Sequence, residues 1–143
     1  MTASRNRFVP DALLFIQPEG SVAVTASGAS LGSLFFPATP NAEYWPASTN
    51  TLNQEVGVVI NVGAIAGGPV TFHLQADTSP AFAAPVDVGG ITATAAGIVV
   101  FAVVKETIEA LKPAATNFRL YATFGTGATS VTYSAFLSDL KSL

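Results

Sequence analysis

Apolar and polar side chains alternate along the whole length of Val70–Ala76, VTFHLQA, and this is the clearest structural signal in the chain. Successive side chains of a β-strand point to opposite faces, so a period of two predicts a strand with one buried face. The face that we expect in the core carries Val70, Phe72, Leu74 and Ala76. The opposite face carries Thr71, His73 and Gln75, and we expect it to meet water.

Two later stretches repeat this alternation. Phe118–Phe124, FRLYATF, follows it closely, and Val131–Leu137, VTYSAFL, follows it less strictly. Gly125–Gly127 lies between them, and glycine at such a position is typical of a hairpin turn. The sequence therefore predicts that the last two strands form a hairpin.

Other stretches predict strands of a different kind. Val56–Val62 and Ile98–Val104 are apolar on both faces, which is typical of central strands covered on both sides, by a second sheet or by a partner. Val22–Ala26 and Leu31–Phe36 predict an earlier pair of strands.

Together these stretches favour an all-β fold. The chain has 143 residues, with 12 Gly and 9 Pro spread along it, so short strands separated by frequent turns are expected. We predict a single two-layer β-sandwich domain over 1–143, jelly-roll-like in its connections. At most one short helix is expected near 105–112, because Ile108 and Leu111 are spaced by three and Pro113 ends the run. Residues 35–53 are rich in proline and predict a long irregular loop.

The composition excludes several classes of protein. Without cysteine, the chain has neither a disulfide framework nor a cysteine-bound metal. A net charge of −3 with six basic residues disfavours a nucleic-acid partner. Charged residues make up 10% of the chain, against about 25% in an ordinary soluble domain. A weakly charged surface suits a protein that lies against other subunits, although a sticky soluble monomer is the alternative.

No stretch predicts a membrane span. The uncharged stretch Val88–Val104 is shorter than the ~20 apolar residues that a spanning helix needs. Arg5 and Arg7 precede the short apolar run 12–16, as in a signal peptide, but Pro10 and Asp11 interrupt the pattern. We therefore expect neither a membrane partner nor secretion.

One stretch matches a catalytic sequence motif in its residue types. Gly28–Gly32, GASLG, matches the G-x-S-x-G pattern of a nucleophilic serine, which needs a strand before the serine and a helix after it. Pro37 and a β-like stretch follow Ser30, and the chain is too short for the alternating strand–helix scaffold. We expect a turn at Ser30, no catalytic residue and no enzyme activity.

Metal and cofactor sites are not expected either. His73, the one histidine, has no Asp or Glu within three residues, so we expect a surface or hydrogen-bonding role. Asp77 and Asp87 flank the loop 78–86, but a Ca²⁺ site needs more oxygen ligands than this loop offers.

Two segments carry the candidate contact residues. Tyr44 and Trp45 are adjacent in the 35–53 loop, and such residues are enriched at interface hot spots. Three roles stay open for them: packing on their own core, contact with a protein, or stacking on a ligand such as a sugar. The segment 1–10, polar and basic, predicts a contact arm that uses Arg5, Arg7 and Phe8.

The chain resembles the small cementing, or decoration, proteins of tailed bacteriophages. The resemblance covers most of the chain in order, through the stretches DALLF (11–15), SVAVTAS (21–27), VTFHLQAD (70–77), AF (81–82), TNFRLYAT (116–123) and the hairpin-like ending 125–137. It departs from the family in the length of 35–53 and in the residues after Phe136.

The resemblance implies a jelly-roll-like structural protein on the outer surface of an icosahedral capsid. Such a protein is made in the host cytoplasm and incorporated into the virion. It would be a homodimer or homotrimer that bridges neighbouring subunits of the major capsid protein. Two other functions compete with this one: a lectin-like carbohydrate-binding β-sandwich module, and a small hydrolase centred on Ser30.

Overall fold

Nine strands and a helix form the part of the chain that the computed structural model describes, residues 15–35 and 55–139. The strands are β1 (Phe15–Gln17), β2 (Gly28–Ala29), β3 (Leu34–Phe35), β4 (Glu55–Ala66), β5 (Val70–Asp77), β6 (Val86–Ala93), β7 (Gly97–Val104), β8 (Asn117–Phe124) and β9 (Ser130–Asp139). The helix α1 spans Lys105–Leu111.

The strands form two antiparallel sheets. Sheet I has the order β1-β9-β4-β7, and sheet II has the order β2-β8-β5-β6, with β3 also paired to β8. The pairs are nested: β1 with β9, β2 with β8, β4 with β7 and β5 with β6. This is the order of a double-sheet jelly roll. The prediction of an all-β, jelly-roll-like two-layer sandwich is therefore confirmed.

The core lies between the two sheets, and alternation places its residues there. In β5 the apolar residues Val70, Phe72, Leu74 and Ala76 are fully buried, while the residues between them are half-exposed. Strand β8 buries Phe118, Leu120 and Ala122, and β9 buries Val131, Tyr133, Ala135 and Leu137. The buried faces predicted for these three strands are thus confirmed.

One aromatic contact joins the sheets at the centre of the core. The rings of Phe72 in β5 and Tyr133 in β9 meet edge to face, with centroids 4.8 Å apart. Edge-to-face pairs add about 0.5–1.5 kcal/mol beyond the burial of their area. Burial raises the pKa of Tyr133 to about 12, so its hydroxyl stays protonated at physiological pH.

The predicted hairpin between the last two strands is wrong. Strand β8 lies in sheet II and β9 in sheet I, so the turn at Gly125–Gly127 carries the chain from one sheet to the other. It packs against the β4–β5 turn, where Gly125 N–H donates to Pro69 O at 2.8 Å. A Cβ at Gly67 would overlap the carbonyl oxygen of Gly127, so the two turns approach backbone to backbone.

Two further strand predictions need correction. The stretches 22–26 and 31–36 do not pair with each other: β2 and β3 both pair with β8, and Val24 forms a single bridge with Val131. Strand β4 is central, as predicted, but β7 lies at one end of sheet I among the described residues. The apolar residues on the outer side of β7 resemble those of a central strand, but no described strand pairs with its second edge.

The short helix near 105–112 is confirmed. Helix α1 follows β7 directly and ends before Pro113. Its residue Ile108 is buried in the core, and Lys105 pairs with Glu109 one turn later at 3.7 Å. The prediction of one domain over 1–143 extends beyond the described residues and stays a prediction. In the predicted loop 35–53, Phe35 belongs to β3, and the other residues lie outside the described part of the chain.

Replacing Phe72 by alanine tests the centre of the core. We expect Phe72→Ala to lower the free energy of unfolding by about 3–5 kcal/mol, because it leaves a cavity beside Tyr133. Urea unfolding followed by circular dichroism measures the loss. The exposed Thr123→Ala on β8 is the control and should stay within about 0.5 kcal/mol of the wild type. Equal losses in both variants would contradict the assigned core.

Candidate functional site

The outer surfaces of the two sheets differ in chemistry. Sheet II carries a chain of polar contacts across β8, β5 and β6. Arg119 Nε donates to Gln75 Oε1 at 2.9 Å, and Gln75 Nε2 donates to Asp87 Oδ1 at 3.1 Å. The Arg119 guanidinium also lies 4.3 Å from the ring centroid of Phe82. We call this set, with His73, the polar clasp; it ties three strands and the β5–β6 loop together.

His73 belongs to the clasp. Its Nδ1 lies 3.6 Å from Asp87 Oδ2, and its side chain is partly exposed on the outer side of β5. The predicted surface or hydrogen-bonding role agrees with this position. Asp87 could not be predicted as a neighbour of His73 from the sequence, because the contact joins adjacent strands rather than adjacent residues.

Asp77 anchors the loop that follows β5. Its side chain is 3% exposed, and its carboxylate accepts hydrogen bonds from the N–H groups of Thr78 at 2.6 Å and Ala84 at 3.0 Å. Lys112 Nζ lies 3.4 Å from the carboxylate and donates to Ala84 O at 2.8 Å. The loop is thereby held to the segment that follows α1.

The surroundings of Asp77 lower its pKa. Desolvation by burial raises the pKa, but the hydrogen bonds from Ala84 and Thr78 and the nearby Lys112 ammonium outweigh it, so the pKa of Asp77 lies below its ordinary 3.8. The carboxylate is therefore ionised at physiological pH and stabilises the loop in that form.

The acidic residues considered for Ca²⁺ have other partners. Asp77 faces N–H groups and an ammonium, and Asp87 faces Gln75 and His73, so neither carboxylate lies in a cage of oxygen ligands. Within residues 15–35 and 55–139, no group of three or more His, Asp or Glu side chains could hold a metal ion.

Ser30 has a structural position. Its hydroxyl donates to Gly32 O at 2.8 Å and accepts from Leu120 N–H at 3.2 Å. Its own N–H donates to Leu120 O at 2.8 Å, so the residue extends the pairing of β2 with β8. The chain continues from Ser30 into β3 rather than into a helix, which differs from the strand–turn–helix context of a nucleophilic serine.

The outer surface of sheet I is apolar at its centre. Val59 of β4 lies between Val100 of β7 and Phe136 of β9, and the next positions along β7 on the same side are Ile98 and Ala102. Ile98 is 70% exposed and Val100 is 46% exposed, while Val59 and Phe136 are half-buried. We call these five residues the apolar face.

Charge is scarce around the apolar face. Strand β7 has no charged residue, and β4 and β9 have one each, Glu55 and Asp139, at their ends. A depression of about 330 Å³ adjoins Ile98 at the other end, lined in part by Glu19, Asn61 and Ser134. An apolar centre with a polar rim is the composition of a protein–protein contact surface.

The contact residues predicted from the sequence lie outside the described residues. These are Arg5, Arg7 and Phe8 in the 1–10 arm and Tyr44 and Trp45 in the 35–53 loop. The apolar face was not predicted as a site. The uncharged stretch Ile98–Val104 carries the signal for this face, but its apolar residues on both sides equally predict a covered central strand.

No helix in the described part of the chain is long and apolar enough to cross a membrane. Comparison of the sequence with protein-family models and with curated proteins found no match in either set.

Replacing Ser30 tests its structural role against a catalytic one. We expect Ser30→Ala to lower the free energy of unfolding by about 1–3 kcal/mol, because the buried N–H of Leu120 loses its acceptor. We also expect wild type and variant to hydrolyse p-nitrophenyl acetate at the same background rate. The exposed Ser33→Ala controls for loss of a hydroxyl in the same turn. Hydrolysis that disappears in Ser30→Ala would contradict the structural role.

Asp77 predicts a pH dependence of stability. Because its pKa is lowered in the folded state, the ionised carboxylate stabilises the fold above pH 3.8, and this contribution is lost as the pH falls through the folded pKa. The difference in unfolding free energy between wild type and Asp77→Asn should therefore shrink below pH 3.8. Urea unfolding from pH 7 to pH 2 measures it, with the exposed Glu109→Gln as a control for net charge. A difference that stays constant over this range would refute the assignment.

Proposed function

We propose that this protein is a structural component of a virion. It binds the outer surface of an icosahedral phage capsid and cements neighbouring subunits of the major capsid protein. The observation that carries the proposal is the apolar face of sheet I, which lies on the sparsely charged outer side of one layer of a jelly-roll sandwich. The resemblance to phage cementing proteins, which rests on the sequence, supports the same function.

The apolar face has the chemistry of a docking surface. Exposed apolar side chains that cluster, rather than occurring singly, are typical of sites of protein association. Complete burial of a Val or Ile side chain contributes about 1.5–3 kcal/mol, so Ile98 and Val100 alone give a modest contact. A modest contact suffices in a lattice, because two or three linked binding sites raise the overall affinity by about 10²–10⁴.

The polar clasp directs this proposal to sheet I rather than sheet II. Gln75 binds both Arg119 and Asp87, and Arg119 also lies over Phe82, so these polar groups on the outer surface of sheet II already have partners within the chain. The outer side of sheet I is apolar at its centre instead, where Val59, Val100 and Phe136 lie side by side.

The partners in this proposal are the major capsid protein and further copies of the chain, as a homodimer or homotrimer. The location is the outer capsid surface of the virion after synthesis in the host cytoplasm. Arg5, Arg7, Phe8, Tyr44 and Trp45 are proposed as additional contacts on the basis of sequence. The competing proposal is a carbohydrate-binding module in which Tyr44 and Trp45 stack on a sugar.

Binding to assembled shells tests the proposed function. We expect the full chain to cosediment saturably with empty shells of the major capsid protein of the same phage, and not with unassembled subunits. Val59→Lys should weaken binding about tenfold or more, because it places a charge at the centre of the apolar face. Val22→Lys is the matched control: Val22 is 85% exposed and lies outside β4, β7 and β9, so its replacement should leave binding unchanged.

Three results would count against the function. These are no binding to shells, equal binding to unassembled subunits, or equal weakening by Val59→Lys and Val22→Lys in variants that unfold like the wild type. A glycan array run with the same protein separates the alternative, because specific sugar binding without shell binding would favour the carbohydrate module.

A further inference from the structure

The four ends of the two sheets are protected unequally. An edge strand exposes unpaired N–H and C=O groups, and proteins blunt such edges with short strands, charges or bulges. Sheet I ends at β1, three residues long, and sheet II ends at β2 and β3, two residues each. The other end of sheet II is β6, which carries Asp87 and an extra residue opposite Leu74 and Gln75.

Strand β7 has none of these devices. It is eight residues long, GIVVFAVV, with no charge and no proline. It pairs with β4 without a break in register, from Glu55 opposite Val104 to Val62 opposite Gly97. No strand among residues 15–35 and 55–139 pairs with its second edge. An edge of this length and composition is suited to pairing with another strand.

We infer that the second edge of β7 binds β7 of a second copy, as an antiparallel pair across a two-fold axis. Two identical antiparallel strands are self-complementary, so the contact closes as a dimer and leaves no free β7 edge for further addition. The absence of charge matters here, because a charged residue near the axis would meet its own like charge in the partner. A strand with a charged residue at its centre would lose this self-complementarity. Strand β7 has no charged residue.

The side chains of β7 favour one register for this pair. With Val100 opposite Val100 of the second copy, the large Ile98 faces the small Ala102 on the outer side. On the inner side Val99 faces Phe101. Every cross-strand pair is then apolar, and no two of the largest side chains oppose each other.

This inference rests on the proposed function for its expectation of a homo-oligomer, and it names the surface that forms it. The two-fold axis of such a pair is perpendicular to the sheet, so sheet I continues from one copy into the next. The two apolar faces then lie side by side and point in the same direction. The dimer therefore presents two binding sites to one capsid lattice, which is the arrangement that multivalent binding requires.

Light scattering of the purified full chain, without any capsid component, tests the inference first. We expect a dimer. Val100→Lys and Val100→Asp should each raise the dissociation constant of the dimer about tenfold or more, because like charges then meet at the axis. An equimolar mixture of the two variants should restore the dimer as a heterodimer. Val22→Lys is the matched control and should remain as dimeric as the wild type.

A single cysteine gives a second test that does not depend on charge. The chain has no cysteine, so Val100→Cys introduces one thiol per copy. Opposed residues of an antiparallel pair have Cα atoms about 4.5–5.5 Å apart, within reach of a disulfide. Two thiols lose two protons and two electrons to added oxidised glutathione and form one S–S bond between copies. Val22→Cys should not cross-link.

A monomeric or trimeric wild type would overturn the inference, since two-fold pairing of β7 gives neither. So would a dimer that both charge variants leave intact and Val100→Cys does not cross-link. These outcomes are independent of shell binding: a β7 dimer that binds no shell refutes the proposed function alone, and a shell-binding monomer or trimer refutes the β7 pair alone.

Discussion

The packing of alternate side chains from β5 against β9 is the constraint on which the rest of the molecule depends. Phe72 meets Tyr133 at the centre, and the residues two positions away on either side are buried with them. Because the period of a strand is two, a slip of one residue would exchange the buried set for the exposed set. The register that buries Phe72 therefore also places His73 and Gln75 outside, where they bind Asp87 and Arg119.

The outer sides of the two sheets differ in the interactions that they make. Sheet II is tied on its outer side by the polar clasp, and its loop after β5 is held by the Asp77 carboxylate and the Lys112 ammonium. Sheet I leaves apolar residues such as Ile98 exposed on its outer side. An isolated copy gains nothing from that exposure, since apolar area removed from water is the main source of stability. The exposure is useful where another surface covers it.

Local alternation predicted the faces of strands well and their neighbours poorly. The buried residues of β5, β8 and β9 and the position of α1 followed from spacing along the chain. The same spacing could not show that β8 and β9 lie in different sheets, or that β7 ends a sheet, because those facts depend on pairing between distant segments. The partnership of Asp77 with Lys112 was missed for the same reason: the two residues are near each other in space and far apart in sequence. The roles of Tyr44 and Trp45 stay predictions.

The nested pairing of the jelly roll also has a consequence for biosynthesis. Strand β1 pairs with β9, so sheet I is incomplete until residues 130–139 have left the ribosome, although β1 is made before the other described strands. Folds dominated by such distant pairs close slowly. Until closure, the uncharged β7 is exposed together with the unpaired parts of β4 and β9, which is the condition under which nascent chains aggregate. The folding of a protein of this design therefore depends on the timing of its own synthesis as well as on its final stability.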